Sequence, residues 1–187
     1  MIHNPIIPYS LEKNLVYEYN YEMSRIPKDD DFGFFLDHDV LMTTYFWKKQ
    51  INEVVNKYPE CSMFLATCNR LNEMSIHQRI ANLKDTNDIE YHREVGQLRW
   101  DEYGVEIIDY SIPKPCHFSG FLMLIRKSLW KKIGGFKAWN EKSNILGIDS
   151  RLHQDLYEAG EKVYVMKGIY LYHWYRGGNL TNKKHLE

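Results

Sequence analysis

The chain has no long apolar run. Nothing in it approaches the ~18 consecutive apolar residues that a membrane-crossing helix needs, so no spanning segment is expected. Cysteine is scarce: Cys61, Cys68 and Cys116 are odd in number and lack metal-site spacing. That excludes a disulfide framework as the organising device and fits reduced thiols in a cytoplasmic setting. Net charge is almost absent, with 24 basic residues against 25 acidic ones, so no broad basic face is available for a nucleic-acid backbone. Residues 1–10 carry neither the charged start nor the apolar core of a signal peptide, and none is expected. No internal repeat and no linker divides the sequence. One compact domain over residues 1–187 is the expectation, with Leu186-Glu187 read as a possible tag scar.

Aromatic residues, by contrast, are plentiful. Fourteen tyrosines suit stacking on sugars and bases, and equally suit a small aromatic-rich core. The most telling stretch is Phe34-Phe35-Leu36-Asp37-His38-Asp39, an apolar strand that runs into two acids one residue apart. A buried apolar run cannot hold a naked carboxylate, so Asp37 and Asp39 belong where the strand leaves the core. Two oxygen donors on a rigid strand end suit a hard divalent cation completed by water and substrate phosphates. A nucleoside diphosphate is the ligand this points to. A plain polar turn after an interior strand is the other reading of the same residues.

Around this strand the pattern alternates. Pro5-Ile6-Ile7-Pro8 reads as one brief strand, and Ser10 as the cap of a helix carrying Leu11, Leu15, Tyr19, Met23 and Ile26. Thr43 or Thr44 caps a second helix with Trp47, Ile51, Val54, Val55 and Tyr58 on one face, and residues 63–67 form a continuous apolar strand. The middle, about residues 68–115, is polar, with one helix expected over 88–103 and a short strand over 105–109. Residues 118–126 read as a strand interrupted at Ser119-Gly120, followed by a small helix ending at Gly134-Gly135. Asp149 starts a helix closed by Gly160, and residues 163–172 read as a last strand pair. Apolar strands alternating with helices indicate an α/β domain built on a sheet covered on both faces.

In order and spacing these pieces resemble the family 2 glycosyltransferases and their relatives of GT-A fold. Phe35-Leu36-Asp37-His38-Asp39-Val40 is similar to the acidic motif that binds nucleotide-sugar and metal. Ser119-Gly120-Phe121-Leu122-Met123-Leu124-Ile125-Arg126, followed by Gly134-Gly135-Phe136, resembles the glycine-bearing strand and the turn closing the next helix. Gly147-Ile148-Asp149 resembles the motif that supplies the catalytic base, and Asn14 and Asn20 echo an asparagine-bearing helix before the acidic strand. The resemblance implies a mixed central sheet flanked by helices, an NDP-sugar donor with UDP favoured, and transfer to an acceptor hydroxyl. Two departures stand out. Only residues 1–9 precede the first helix, so the base-binding unit is expected to be reduced, and Ile148-Asp149 offers one carboxylate where the family usually has two.

The resemblance assigns Asp39 as a metal ligand, and Asp37 to the ribose or to the metal's shell. His173, in Tyr-His-Trp-Tyr-Arg, is implied to close the metal site. Its imidazole favours Mn²⁺ over Mg²⁺, which prefers an all-oxygen shell. A half-buried histidine bonded to backbone is the alternative. Asp149 is the expected general base, although aspartate is also a common helix cap. Pro8, Tyr9, Ser10, Lys13, Asn14, His38, Gly120 and Arg176 are the expected contacts to nucleotide, sugar or phosphate, with Tyr9 either stacking on the base or covering the sheet edge. Cys116-His117 has no second Cys or His at zinc spacing and reads as loop. The acceptor class (glycan, lipid, small molecule or protein) stays open, as does homo-oligomerisation. A sugar-nucleotide binding module, a sugar-nucleotide hydrolase and a nucleotidyltransferase are the rival readings. The last would need a glycine- and basic-rich phosphate loop after the first strand, and Pro8-Tyr9-Ser10-Leu11 is not one.

Overall fold

Side chains along a strand alternate between faces, so a strand that is apolar at every position must be covered on both sides. The computed structural model, which describes residues 1–69, 71, 75, 77–110, 117–140 and 144–174, is organised around this requirement. The elements run α1 (Leu15–Arg25), β1 (Phe32–Leu36), β2 (Val40–Met42), α2 (Trp47–Lys57), β3 (Met63–Cys68), α3 (Ile89–Tyr103), β4 (Ile107–Asp109), β5 (Leu122–Arg126), α4 (Lys127–Lys132), α5 (Ile148–Glu158) and β6 (Tyr164–His173). Every residue of β1 and β3 is buried. Phe35, Met63, Leu65, Met123 and Ile125 face a core completed by α1, α4 and α5. Phe34, Leu36, Phe64, Ala66, Leu122 and Leu124 face the opposite core, filled by Ile51, Val54 and Val55 of α2.

The sheet is mixed, as expected, with strand order β1-β5-β3-β6-β2 and β4 pairing the early half of β6. Both β1 and β3 are antiparallel to β5, and β3 is parallel to β6. Strands β1, β3 and β6 therefore point the same way, and their carboxyl ends leave the core along one edge. The start of β5 lies at that same edge. The result is one small α/β domain, and among the described residues no helix is long and apolar enough to cross a membrane.

Several local readings shift. Helix α1 begins at Leu15, because Asn14 Oδ1 accepts the Tyr17 N–H and takes the cap position. Ser10 instead accepts the Asn14 N–H in a turn where Lys13 sits at φ 57°, and Leu11 is left 85% exposed. The expected strand at residues 5–8 reduces to bridges from Ile2 and Ile6 to β1, since Pro5 and Pro8 have no N–H to give a ladder. Thr43 caps no helix; it is buried, and its hydroxyl donates to Tyr170 O at 2.5 Å. Helix α2 starts after Phe46 with no side-chain cap. Strand β5 begins at Leu122 rather than 118, and β2 is an added edge strand. The last strand pair is one long strand, β6, with a register shift: Met166 opposes Ala66, but Tyr170 opposes Thr67. Lys167, Gly168 and Ile169 bulge out between them. There a Cβ on Gly168 would lie 2.2 Å from Gly104 O.

Candidate functional site

Where β1 runs out, the backbone is tied across the sheet edge. The Asp37 N–H donates to Phe121 O (3.0 Å), Asp39 O accepts from the Trp174 N–H (2.9 Å), and Val40 pairs with His173. The acidic turn is thereby strapped over the ends of β5 and β6. Asp37, Asp39 and His173 each offer a ligand atom, all within 4.8 Å of one another. His173 Nε2 lies 3.4 Å from Asp39 Oδ1. The imidazole is buried, stacked on Phe121 at 5.4 Å, and its backbone N–H donates to Oδ1 of buried Asn69 at 2.8 Å. Asn69 is a positioning residue that the sequence did not single out.

The two acids respond oppositely to this setting. Burial pushes the Asp37 carboxyl above its ordinary range; His173 opposes the shift, while the charges of Asp39 and Asp149 add to it. Burial acts upward on Asp39 as well, but the hydrogen bond and charge of His173 outweigh it and hold that carboxyl below its ordinary range. Three acids thus lie near one another around one buried imidazole, with His38 adding a weaker opposing charge. Two carboxylates and an imidazole at this spacing are a donor set that could hold a divalent cation.

Asp149 reaches the same place from α5. Gly147 takes the cap of this helix at φ 76°, where a Cβ would meet Trp139 Cβ at 2.8 Å. Asp149 is therefore the second helical residue rather than the cap. Its Oδ1 accepts the Ser150 N–H (2.8 Å) and its Oδ2 the Gly120 N–H (3.2 Å). A Cβ on Gly120 would lie 3.1 Å from that of Asp149, so the glycine is what lets β5's lead-in approach the acid. Ser119 is fixed in turn by buried Gln78, whose Nε2 donates to Ser119 O and whose Oε1 accepts the Ser119 N–H. Asp37, His173, Gly120, Asp149 and Tyr19 line one pocket of about 400 Å³. Burial, then Asp37 and Asp149, hold the Tyr19 phenol far above its ordinary range, so it stays a hydrogen-bond donor. In the sequence Tyr19 looked like one more residue on the apolar face of a helix.

The remaining expected residues are placed differently. His38 is exposed on the turn between the two acids. Tyr9 is 72% exposed and, with Ser10, Asn14 and Tyr17, lines a separate depression of about 540 Å³. The side-chain oxygens of Ser10 and Asn14 are engaged in the turn and cap of α1. Lys13 is exposed and Pro8 half-buried beside them. The structure thus brings Asp37, Asp39, His173, Gly120 and Asp149 together and leaves the residue 8–14 group outside the pocket lining. Arg176, Tyr175 and Cys116 lie outside the described residues. No family model matches the chain, and no curated protein matches it.

Proposed function

We propose that this chain is a metal-dependent glycosyltransferase of GT-A type. It would move a sugar from a nucleoside-diphosphate sugar, UDP-sugar foremost, to an acceptor hydroxyl with inversion. The observation that carries the reading is that Asp37, Asp39 and His173 share one sheet edge with Asp149, and that Asp37, His173 and Asp149 line one pocket. Asp37, Asp39 and His173 would hold Mn²⁺, or Mg²⁺ in its place. When bound, the cation supplies Lewis-acid stabilisation of the diphosphate leaving group. Asp149 accepts the proton of the acceptor hydroxyl; its two backbone hydrogen bonds fix the carboxylate while leaving lone pairs free toward the pocket. Tyr19 lines the pocket, and its phenol would offer a hydrogen bond to a bound substrate there. One base and no enzyme nucleophile make a single displacement, which inverts the anomeric centre.

The test is nucleotide release from a panel of sugar nucleotides with Mn²⁺, Mg²⁺ or chelator, for wild type, Asp39→Ala and Asp149→Asn. Turnover should need the metal and should fall by at least about 100-fold in both variants. Metal-dependent binding without turnover, unchanged by Asp149→Asn, would instead mark a sugar-nucleotide binding module.

A further inference from the structure

His117 and His153 are far apart in sequence, yet their rings meet beside α5. The ring centres are 5.7 Å apart and the planes cross at 80°. His153 lies one turn beyond Asp149 on α5, and His117 lies three residues before Gly120. On both rings Nδ1 is buried and has no hydrogen-bond partner among the described residues. A buried imidazole nitrogen in that state has lost its water and gained nothing in return. The surroundings are aromatic: Phe118 stacks on His153 at 5.2 Å, Tyr110 packs edge-on to it, and Trp139 packs edge-on to His117.

The support beneath these rings is rigid. His117 O accepts hydrogen bonds from Ser75 Oγ (3.1 Å) and Tyr110 Oη (3.0 Å), so the backbone that presents the imidazole is pinned from two sides. Neutral imidazole is the form that ligates metals. With a zinc–nitrogen bond of about 2.1 Å, each ring centre would lie about 3.2 Å from a shared ion, which the observed ring separation permits at an open tetrahedral angle. His77 also packs on Tyr110, and its Nε2 is likewise buried without a partner. Among the described residues that nitrogen does not join the other two at common ligand distance.

We propose that His117 and His153 form a second metal site, a two-imidazole clip for a borderline transition ion such as Zn²⁺, with water filling the remaining positions. It is separate from the acidic site and of opposite taste. Nitrogen donors in an aromatic shell select against Mg²⁺, whereas Asp37 and Asp39 accept it. Because the clip ties the turn before Gly120 to α5, an ion there braces the segment that holds Asp149.

The experiment is a Zn²⁺ titration of the full chain in an Asp39→Ala background, followed by calorimetry and by ¹⁵N shifts of the histidine rings. One zinc equivalent should bind and move the ring nitrogens of His117 and His153, while Mg²⁺ moves neither. Adding His117→Asn or His153→Asn should weaken uptake by at least about tenfold. Absence of zinc uptake in the Asp39→Ala chain overturns the proposal, and so does uptake that survives both histidine substitutions. If a histidine variant fails to fold, the ring spectrum of the Asp39→Ala chain decides alone: two rings unshifted by one zinc equivalent overturn the site.

Discussion

Asn20 uses both ends of its carboxamide to fasten α1 to the turn after α4. Nδ2 donates to Phe136 O (2.9 Å), while Oδ1 accepts from the Phe136 N–H (2.8 Å) and from Trp130 Nε1 (2.9 Å). Gly135 makes room for it, since a Cβ there would lie 2.8 Å from Oδ1. The neighbouring Tyr19 ring packs between Phe35 and Phe136, 4.9 Å from each, so one pocket wall hangs on this fastening. Replacing Asn20 with Ala strands three half-buried polar groups at once. Loss of about 2–4 kcal/mol is expected, read from the urea midpoint with an unchanged slope. A variant within about 0.5 kcal/mol of wild type would show that water replaces all three bonds. In the sequence Asn20 was notable only through a resemblance; its physical work is structural.

Helix α3 offers a sharper conflict between propensity and packing. Gly96 sits inside this helix, where Ala is ordinarily worth about 1 kcal/mol. Here the added Cβ would meet Thr43 Oγ1 at 2.1 Å, and that hydroxyl is already committed to Tyr170 O in β6. Overpacking at such a contact costs about 1–3 kcal/mol, so Gly96→Ala should destabilise despite better helix propensity. Thermal or urea unfolding gives the sign directly, and a gain in stability would mean that α3 slides freely on β6. Legibility followed the same division. Helix α3 was readable because Asp88 and Gly104 mark its ends, and β1 and β3 because they are apolar throughout. Strand β2 was not, being three partly exposed residues whose only reason to be a strand is the far end of β6. The start of α1 was misplaced at Ser10 because Ser10 and Asn14 are both good caps, and the first serves the second.

For the molecule as a whole, the parallel course of β1 and β6 decides where chemistry can occur. The acids were legible as a strand end, but their meeting with His173 and Asp149 depends on strand order, which no local pattern encodes. The same is true of His117 and His153. On the proposed function, Asp37, Asp39 and His173 would hold Mn²⁺ only in the folded chain, so free Mn²⁺ at one hundred times its dissociation constant should add about 2.7 kcal/mol. For a domain of this size that is a rise of roughly 5–10 °C in Tm, absent in Asp39→Ala and measurable by thermal unfolding with and without chelator. The bulge in β6 adds a condition of another kind. Since side chains change sides at every residue, the direction in which His173 points is a matter of parity, counted from Met166 through the three unmatched residues. Gly168 must stay without a Cβ to clear Gly104 and Ile169 is buried in the core, but the direction of the histidine depends on their number alone: an odd change in it would turn the side chain to the opposite face of the sheet. The site is thus keyed to a count made seven residues upstream, at a place that touches none of its atoms.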